Sequence, residues 1–291
     1  MKKPYLPVQA LILLIVFTVI ACKKDNKQED AATNVTVSLL NTGLQNAFIR
    51  YSPDTTTYNV IAKMQGEAFA VPNKVVTLQV EPSVLTAYNT ASGTHFELLP
   101  DSVYTLAKAS TTILTGEGQA QLPVQFLTKK INPYIKYALP LKILGTDINI
   151  DASANTTLLR ILLANDYTGI YTDTISSAAV PPTYPTTPPA MNFTDVIVNK
   201  TLTALDDSTI IMDMLLPALV PANQYLVMHL DTATNNISLS VYGATPAEML
   251  QFTAANVGLL PYYRKSDKYF YLPYNYFNTD YRIRERLKKQ Q

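Results

Sequence analysis

Three groups of residues in this 291-residue chain could do chemistry. The first is a single thiol: Cys22 is the only cysteine, and it closes an apolar run from Val8 to Ala21. An exported protein normally uses cysteines in pairs, so a lone one at the end of such a run points to its nucleophilic sulfur rather than to a disulfide. The second is a set of oxygen donors, Asp147, Asn149 and Asp151, at the alternate spacing with which a calcium loop begins. The match stops there. Ala152 stands where the sharp turn needs glycine and Leu158 where the bidentate glutamate belongs, so the segment reads as a strand end with polar edges and no metal is expected. The third group is aromatic. Of 19 tyrosines and 9 phenylalanines, nine lie between Tyr262 and Tyr281. A tyrosine ring can stack on the C–H face of a sugar while its hydroxyl bonds to the sugar's oxygens. Tyr262, Tyr263, Tyr269, Tyr271, Tyr274 and Tyr276 are therefore the candidate ligand-binding residues. In a strand, however, Tyr269 and Tyr271 face one way and Phe270 and Leu272 the other, so one of these sets belongs to a core.

Catalytic signatures are otherwise sparse. His95 and His229 each fall in a strand-like run, with no acid or serine in a recognised nucleophile arrangement, and read as satisfied strand histidines. There is no CxxC, HExxH or Walker loop, and the 9 glycines are scattered, so no cofactor is called for. A glycoside hydrolase leaves no fixed spacing, because its two carboxylates meet only in space. The small domains and the scarcity of acids flanked by aromatics argue against one. Arg282, Arg284, Arg286, Lys288 and Lys289 form a cationic row on the last strand, which reads as a solvated edge guard or as a surface for acidic glycans or lipid phosphates.

The elements that must position these residues are mostly strands. From Val35 onward apolar residues recur at every second position, in short runs bounded by Asn, Asp, Gly, Pro and Ser. The clearest strands are Val35–Leu39, Thr57–Ile61, Val75–Val80, Ala120–Phe126, Ile135–Ile143 and Thr157–Leu162. Pro123 and Pro140 place two of them at sheet edges or bulges. This density predicts an all-β chain whose first domain, 35–164, is an immunoglobulin-like β-sandwich. The polar pair Asn165-Asp166 marks the boundary to a C-terminal β domain, 165–291. It opens at Gly169 and carries an extended proline-rich loop at 181–189. Four strands follow, then one short helix from Thr245 to Gly258, begun by an N-cap and Pro246. A hairpin closes the chain, Lys268–Tyr276 against Tyr281–Lys288 around the turn Phe277–Asp280.

Lys2 and Lys3 precede fourteen apolar residues, Val8 to Ala21, too few for the roughly 20 of a spanning helix; residues 1–21 read as a secretion signal. The polar stretch 22–34 reads as a flexible tether. The net charge is +1, and −1 once Lys2 and Lys3 leave with the signal, which gives no footprint for nucleic acid.

Two resemblances give these segments a context. Val19-Ile20-Ala21-Cys22 resembles the bacterial lipobox, which implies that Cys22 receives a diacylglycerol before cleavage and an N-acyl chain, such as palmitate, afterwards. Two or more chains, at about 0.8 kcal/mol per buried CH₂, hold a protein on a membrane permanently. The acidic residues after Cys22 resemble the export signals of Bacteroidetes surface lipoproteins. Val84–Asn89, His95–Pro100, Val103-Tyr104, Gly116–Val124 and Tyr137–Leu141 are, in their order, similar to the N-terminal immunoglobulin-like domain of such lipoproteins found with SusC/SusD-type polysaccharide-uptake systems. That resemblance implies a second β domain, barrel- or lipocalin-like. It also implies a non-catalytic, outer-membrane protein facing the cell exterior, with a polysaccharide or oligosaccharide as ligand and a SusC/SusD-type complex as partner. A carbohydrate-active enzyme and an adhesive protein-binding module are the alternatives.

Overall fold

A computed structural model describes residues 35–66, 73–107, 110–145, 148–179, 194–214, 224–243, 260–276 and 281–290. The signal and tether with Cys22, Asp147, the proline-rich loop at 181–189, the helix expected from Thr245 and the turn Phe277–Asp280 lie outside them.

The chain is almost entirely β. Its first part runs β1 (Thr36–Leu39), β2 (Gly43–Arg50), β3 (Thr55–Gln65), β4 (Lys74–Val80), α1 (Pro82–Ser92), β5 (Glu97–Leu98), β6 (Tyr104–Leu106), β7 (Ser110–Ile113), β8 (Gln119–Leu127), β9 (Tyr137–Gly145), β10 (Asn149–Ile150) and β11 (Thr156–Ala164). These strands form two sheets, β10-β1-β3-β8-β6 and β2-β11-β9-β4-β7, with β5 beside β9. Alternation explains the sandwich: Ala120, Leu122, Val124 and Phe126 of β8 point into a core shared with Ile49, Leu139, Leu141, Leu159 and Ile161 of the other sheet. Each such large aliphatic or aromatic side chain contributes about 1.5–3 kcal/mol by leaving water.

Two strands depart from simple alternation, and α1 is one cause. The start of β9 and most of β11 are buried on both faces. The helix lays Leu85 over Ala138 and Leu158, with Leu44, Tyr88 and Phe96 around them. The helix runs for eleven residues, with Tyr88-Asn89 in its second half. Pro82 starts it, and Gly93 stops it in the left-handed region at φ 62°, donating its N–H to the Asn89 carbonyl. Pro123 and Pro140 are not on edge strands. Pro123 pairs with Asn59 of β3, just beyond the point where β6 stops pairing with β8. Pro140 lies on the central β9, where β4 gives way to β5, so no ladder donor is missed there.

The second part comprises β12 (Gly169–Ala179), β13 (Thr194–Ala204), β14 (Thr209–Asp213), β15 (Tyr225–Leu230), β16 (Ile237–Tyr242), β17 (Tyr262–Arg264), β18 (Tyr269–Tyr276) and β19 (Tyr281–Lys289). They form one eight-stranded antiparallel sheet, ordered β16-β15-β14-β13-β12-β19-β18-β17. Its ends approach each other through the bridge Asn236 to Tyr262, and the Tyr263 N–H donates to the Asn235 carbonyl at 3.0 Å. The sheet therefore curls into a nearly closed barrel. Its interior is filled by Tyr171, Leu202, Ile210, Met228, Phe270, Leu272, Ile283 and Leu287, as the narrow bore of eight strands requires.

Charge is buried in that interior. Lys200 Nζ lies 2.7 Å from Glu285 Oε2 and 3.4 Å from Asp173 Oδ2, and both carboxylates are fully buried. The Tyr274 hydroxyl donates to Glu285 Oε1, and the Arg286 backbone N–H donates to Asp173 Oδ1 at 3.1 Å. Two carboxyls share one ammonium, so one of them keeps its proton. Burial, reinforced by the charge of Glu285, pushes Asp173 up to about 8. Asp173 Oδ2 accepts no hydrogen bond among the described residues. Lys200 is raised: burial works against its charge, and the two carboxylates outweigh it.

Lys200→Ala should therefore cost about 3–5 kcal/mol in denaturant unfolding, because it strands buried carboxyls without a cation. Asp173 binds its proton more tightly folded than unfolded. Its contribution is complete below its ordinary value of 3.8 and is lost as pH rises through about 8. Unfolding free energy should fall across that window, and Asp173→Asn should flatten the slope.

Candidate functional site

The six candidate tyrosines do not form one surface. Tyr263 and Tyr274 belong to the barrel interior: Tyr263 packs on Phe270 at 4.6 Å and edge-on to Tyr167 at 5.2 Å, while Tyr274 is held by Glu285. Their parity on β17 and β18 points them inward, which removes both as ligand contacts. Tyr262, Tyr269 and Tyr271 face outward and are half-buried. Tyr276 ends β18 opposite Tyr281, and its side chain lies outside the described residues.

The faces of the outward trio are partly taken. Tyr262 and Tyr271 stack on each other at 5.5 Å, and the Arg264 guanidinium lies 4.7 Å over Tyr269 while bonding Asp267 in bidentate fashion. Hydroxyls and ring edges are what they present. The cationic row is also not a free strip. Arg286 is tied to Ser176 at 2.7 Å and Asp195 at 2.9 Å, and Lys289 has the opposite parity, donating to the Thr168 carbonyl at 2.5 Å. The side chain of Arg282 lies outside the described residues.

A concave site lies elsewhere, between sandwich and barrel. Thr94, His95, Phe96, Glu97, Tyr134, Ile135, Lys136, Arg160 and Tyr225 line a cleft of about 550 Å³. A smaller cavity of about 40 Å³ shares Ile135, Lys136, Arg160 and Tyr225 with it and reaches Thr201, Thr203 and Met212 of the barrel. Each wall has a local cause. Asn89, near the end of α1, clamps the loop that carries His95. Its Nδ2 donates to the Phe96 carbonyl at 2.9 Å, and its Oδ1 accepts from the Phe96 N–H at 3.1 Å and the Thr94 hydroxyl at 2.9 Å. Tyr134 stacks on Tyr242 of β16 with ring centroids 3.5 Å apart and planes within 11°, and its carbonyl accepts from the Tyr225 hydroxyl at 3.1 Å. Lys136 meets Asp213 across the gap at 3.7 Å.

Arg160 sits at the junction of the two cavities. It is half-buried and makes no hydrogen bond or ion pair with any described residue. Burial holds its pKa below the ordinary arginine value, opposed by the charges of Asp213 and Tyr225. Cations, ring faces and polar groups in one open cleft suit an oxygen-rich ligand.

His95 is not a strand residue: it stands exposed in the loop between α1 and β5, on the cleft rim. His229 lies on β15 with Nδ1 3.0 Å from the Thr209 hydroxyl. Asp151 closes a turn by accepting from the N–H and hydroxyl of Ser153. One signal for the cleft stood in the sequence. Arg160 interrupts Leu158-Leu159 and Ile161-Leu162-Leu163, and a charge inside an apolar strand asks for a reason. Nothing local ties Tyr134 to Tyr242, 108 positions away.

A family described as an N-terminal domain matches residues 32–150. No curated protein matches the chain. Among solved structures, a protein of unknown function from Bacteroides ovatus superposes with a TM-score of 0.59 at 14% identity, over 88% of this chain and 92% of that one. A multidomain protein including DUF1735, also from Bacteroides ovatus, gives 0.55 at 14% over 88% and 92%. An auxiliary nutrient binding protein from Bacteroides thetaiotaomicron gives 0.51 at 16% over 85% and 89%. At these identities the likeness is one of fold: sandwich followed by barrel, over nearly the full length of each.

The inward and outward tyrosines should separate by stability. Tyr274→Phe leaves buried Glu285 short of a donor and should cost about 1–3 kcal/mol in urea unfolding, whereas Tyr271→Phe should stay within about 0.5 kcal/mol.

Proposed function

We propose that this protein is a lipid-anchored, outward-facing surface protein that binds an oligosaccharide or polysaccharide without cleaving it, and presents it to a SusC/SusD-type importer. The interdomain cleft carries the reading. Phe96 and Tyr134 supply ring surface for the C–H faces of sugars, with buried Tyr225 behind them, and Thr94, His95, Glu97 and Lys136 supply donors and acceptors for hydroxyls. The lipobox-like Val19–Cys22 motivates the anchor. The fold shared with an auxiliary nutrient binding protein supports capture of a nutrient.

The positions of the described carboxylates support binding without hydrolysis. A glycosidase needs an accessible pair of them, one raised so that it can act as an acid. Among the described residues the raised carboxyl is Asp173, enclosed with Glu285 in the packed barrel, out of reach of a polymer. At the cleft Asp213 is engaged by Lys136, and Glu97 stands exposed on the rim. The outward Tyr262, Tyr269 and Tyr271 offer hydroxyls to a chain passing over the barrel, as an accessory contact.

A soluble form beginning at Lys24, run through native gels cast with plant, host and microbial polysaccharides, should be retarded by a subset of them without releasing sugar. Tyr134→Ala should weaken that retardation about fivefold or more, the loss expected for a central aromatic contact. Unchanged retardation would remove the cleft from the reading, and sugar release would make the protein an enzyme. In cells, Cys22→Ala should move the full-length protein from the membrane to the soluble fraction; membrane retention would disprove the anchor.

A further inference from the structure

We infer that the cleft selects a carboxylated sugar, a uronate, whose acid group docks on Arg160; this deepens the glycan-binding reading above and rests on it. Arg160 lies on β11 opposite Ala138 of β9, between Leu159 and Ile161, whose side chains enter the sandwich core. Its own side chain therefore leaves by the outer face of that sheet, the face on which α1 covers Leu158 and the barrel approaches Leu162. The guanidinium stands in the gap between these two covers. That is a costly place for a cation, since it loses water without gaining a partner among the described residues.

The neighbouring charges favour an anion there. Lys136 and Asp213 oppose each other at 3.7 Å and largely cancel. Glu97 is exposed on the rim, where water and salt screen it. Arg160 is left as the half-buried cation of the cleft, with Asp213 acting on it only through space and no described carboxylate bonded to it. Its planar fork of N–H donors matches a carboxylate with two parallel hydrogen bonds, a geometry that a hydroxyl cannot fill. The ring surfaces of Phe96 and Tyr134 on the same cleft would hold the pyranose body while the acid reaches Arg160.

The test compares one polymer in two charge states. Polygalacturonate, polyglucuronate and polymannuronate oligomers are titrated calorimetrically into the soluble protein, each beside its methyl ester, which keeps the sugar and removes the charge. At least one acid should bind about tenfold or more tighter than its ester, and Arg160→Gln should abolish that preference while leaving ester binding and the thermal midpoint unchanged. Arg160→Lys should restore only part of it, because an ammonium is a point charge without the fork. Equal binding of acid and ester by the wild type, or a neutral polymer bound while every acid is refused, would overturn the uronate assignment and leave glycan binding standing. Failure of every acidic and neutral polymer to bind would overturn both.

Discussion

The joint at Asn165 is the constraint on which the site depends. β11 of the sandwich ends at Ala164 and β12 of the barrel begins at Gly169. The few residues between them are bonded on every side. Asn165 Nδ2 donates to the Asp206 carbonyl at 2.8 Å, its Oδ1 accepts from the Tyr167 N–H at 3.0 Å, and the Thr168 hydroxyl accepts from the Asn165 N–H at 3.1 Å. Lys289, from the last strand, closes over the Thr168 carbonyl, so the end of the chain braces its middle. Gly169 suits this crowding: a Cβ there would come within 2.7 Å of the Lys289 side chain, at a φ of +143° that disfavours any other residue. A connection this short and this satisfied does not act as a free hinge. The ion pair Arg50–Asp166 and the stacked Tyr134–Tyr242 then hold walls of a cleft that neither domain forms alone.

The barrel's interior explains why the site has to lie outside it. A lipocalin-like barrel suggests a ligand in the bore, but here the bore holds Tyr171, Phe270, Leu272 and Tyr274 at 0–1% exposure, together with the Asp173–Lys200–Glu285 cluster. Such a cluster contributes little net stability, because desolvation offsets most of the Coulomb gain. What it does is set register. Asp173, Lys200 and Glu285 come from three adjacent strands, β12, β13 and β19, and a slip of one residue would turn a buried charge to solvent and its neighbour inward.

The resemblance to surface lipoproteins of polysaccharide-uptake systems and the fold likeness to Bacteroides proteins meet at the level of architecture. Function adds a demand that architecture does not carry. The proposed capture of a polymer needs ring faces and oxygen-binding groups held in a concavity, and the cleft between sandwich and barrel offers such groups. The residues that carry the family-like order take part through geometry: Asn89 clamps the loop of His95 and Phe96, and Tyr137–Leu141 follows directly on the Tyr134–Lys136 wall.

The sequence by itself determined the class of the protein. Alternation at period two is a local property, so six of the strands between Val35 and Leu162, the hairpin Lys268–Lys288 and the all-β fold could be read directly, while β2 was not among them. Pro82 and Gly93 bound α1 just as locally. Tertiary structure decided what each side chain faces. Glu285 occupies the inward parity of β19 between Ile283 and Leu287, yet only the approach of Lys200 from a strand 85 positions earlier makes that tolerable. The tyrosine cluster divided into core and surface for the same reason, since composition does not fix which face of a sheet is covered. The cleft was beyond local reading altogether: Tyr134, Arg160, Tyr225 and Tyr242 are scattered along the chain and meet only where the sandwich and the barrel pack together.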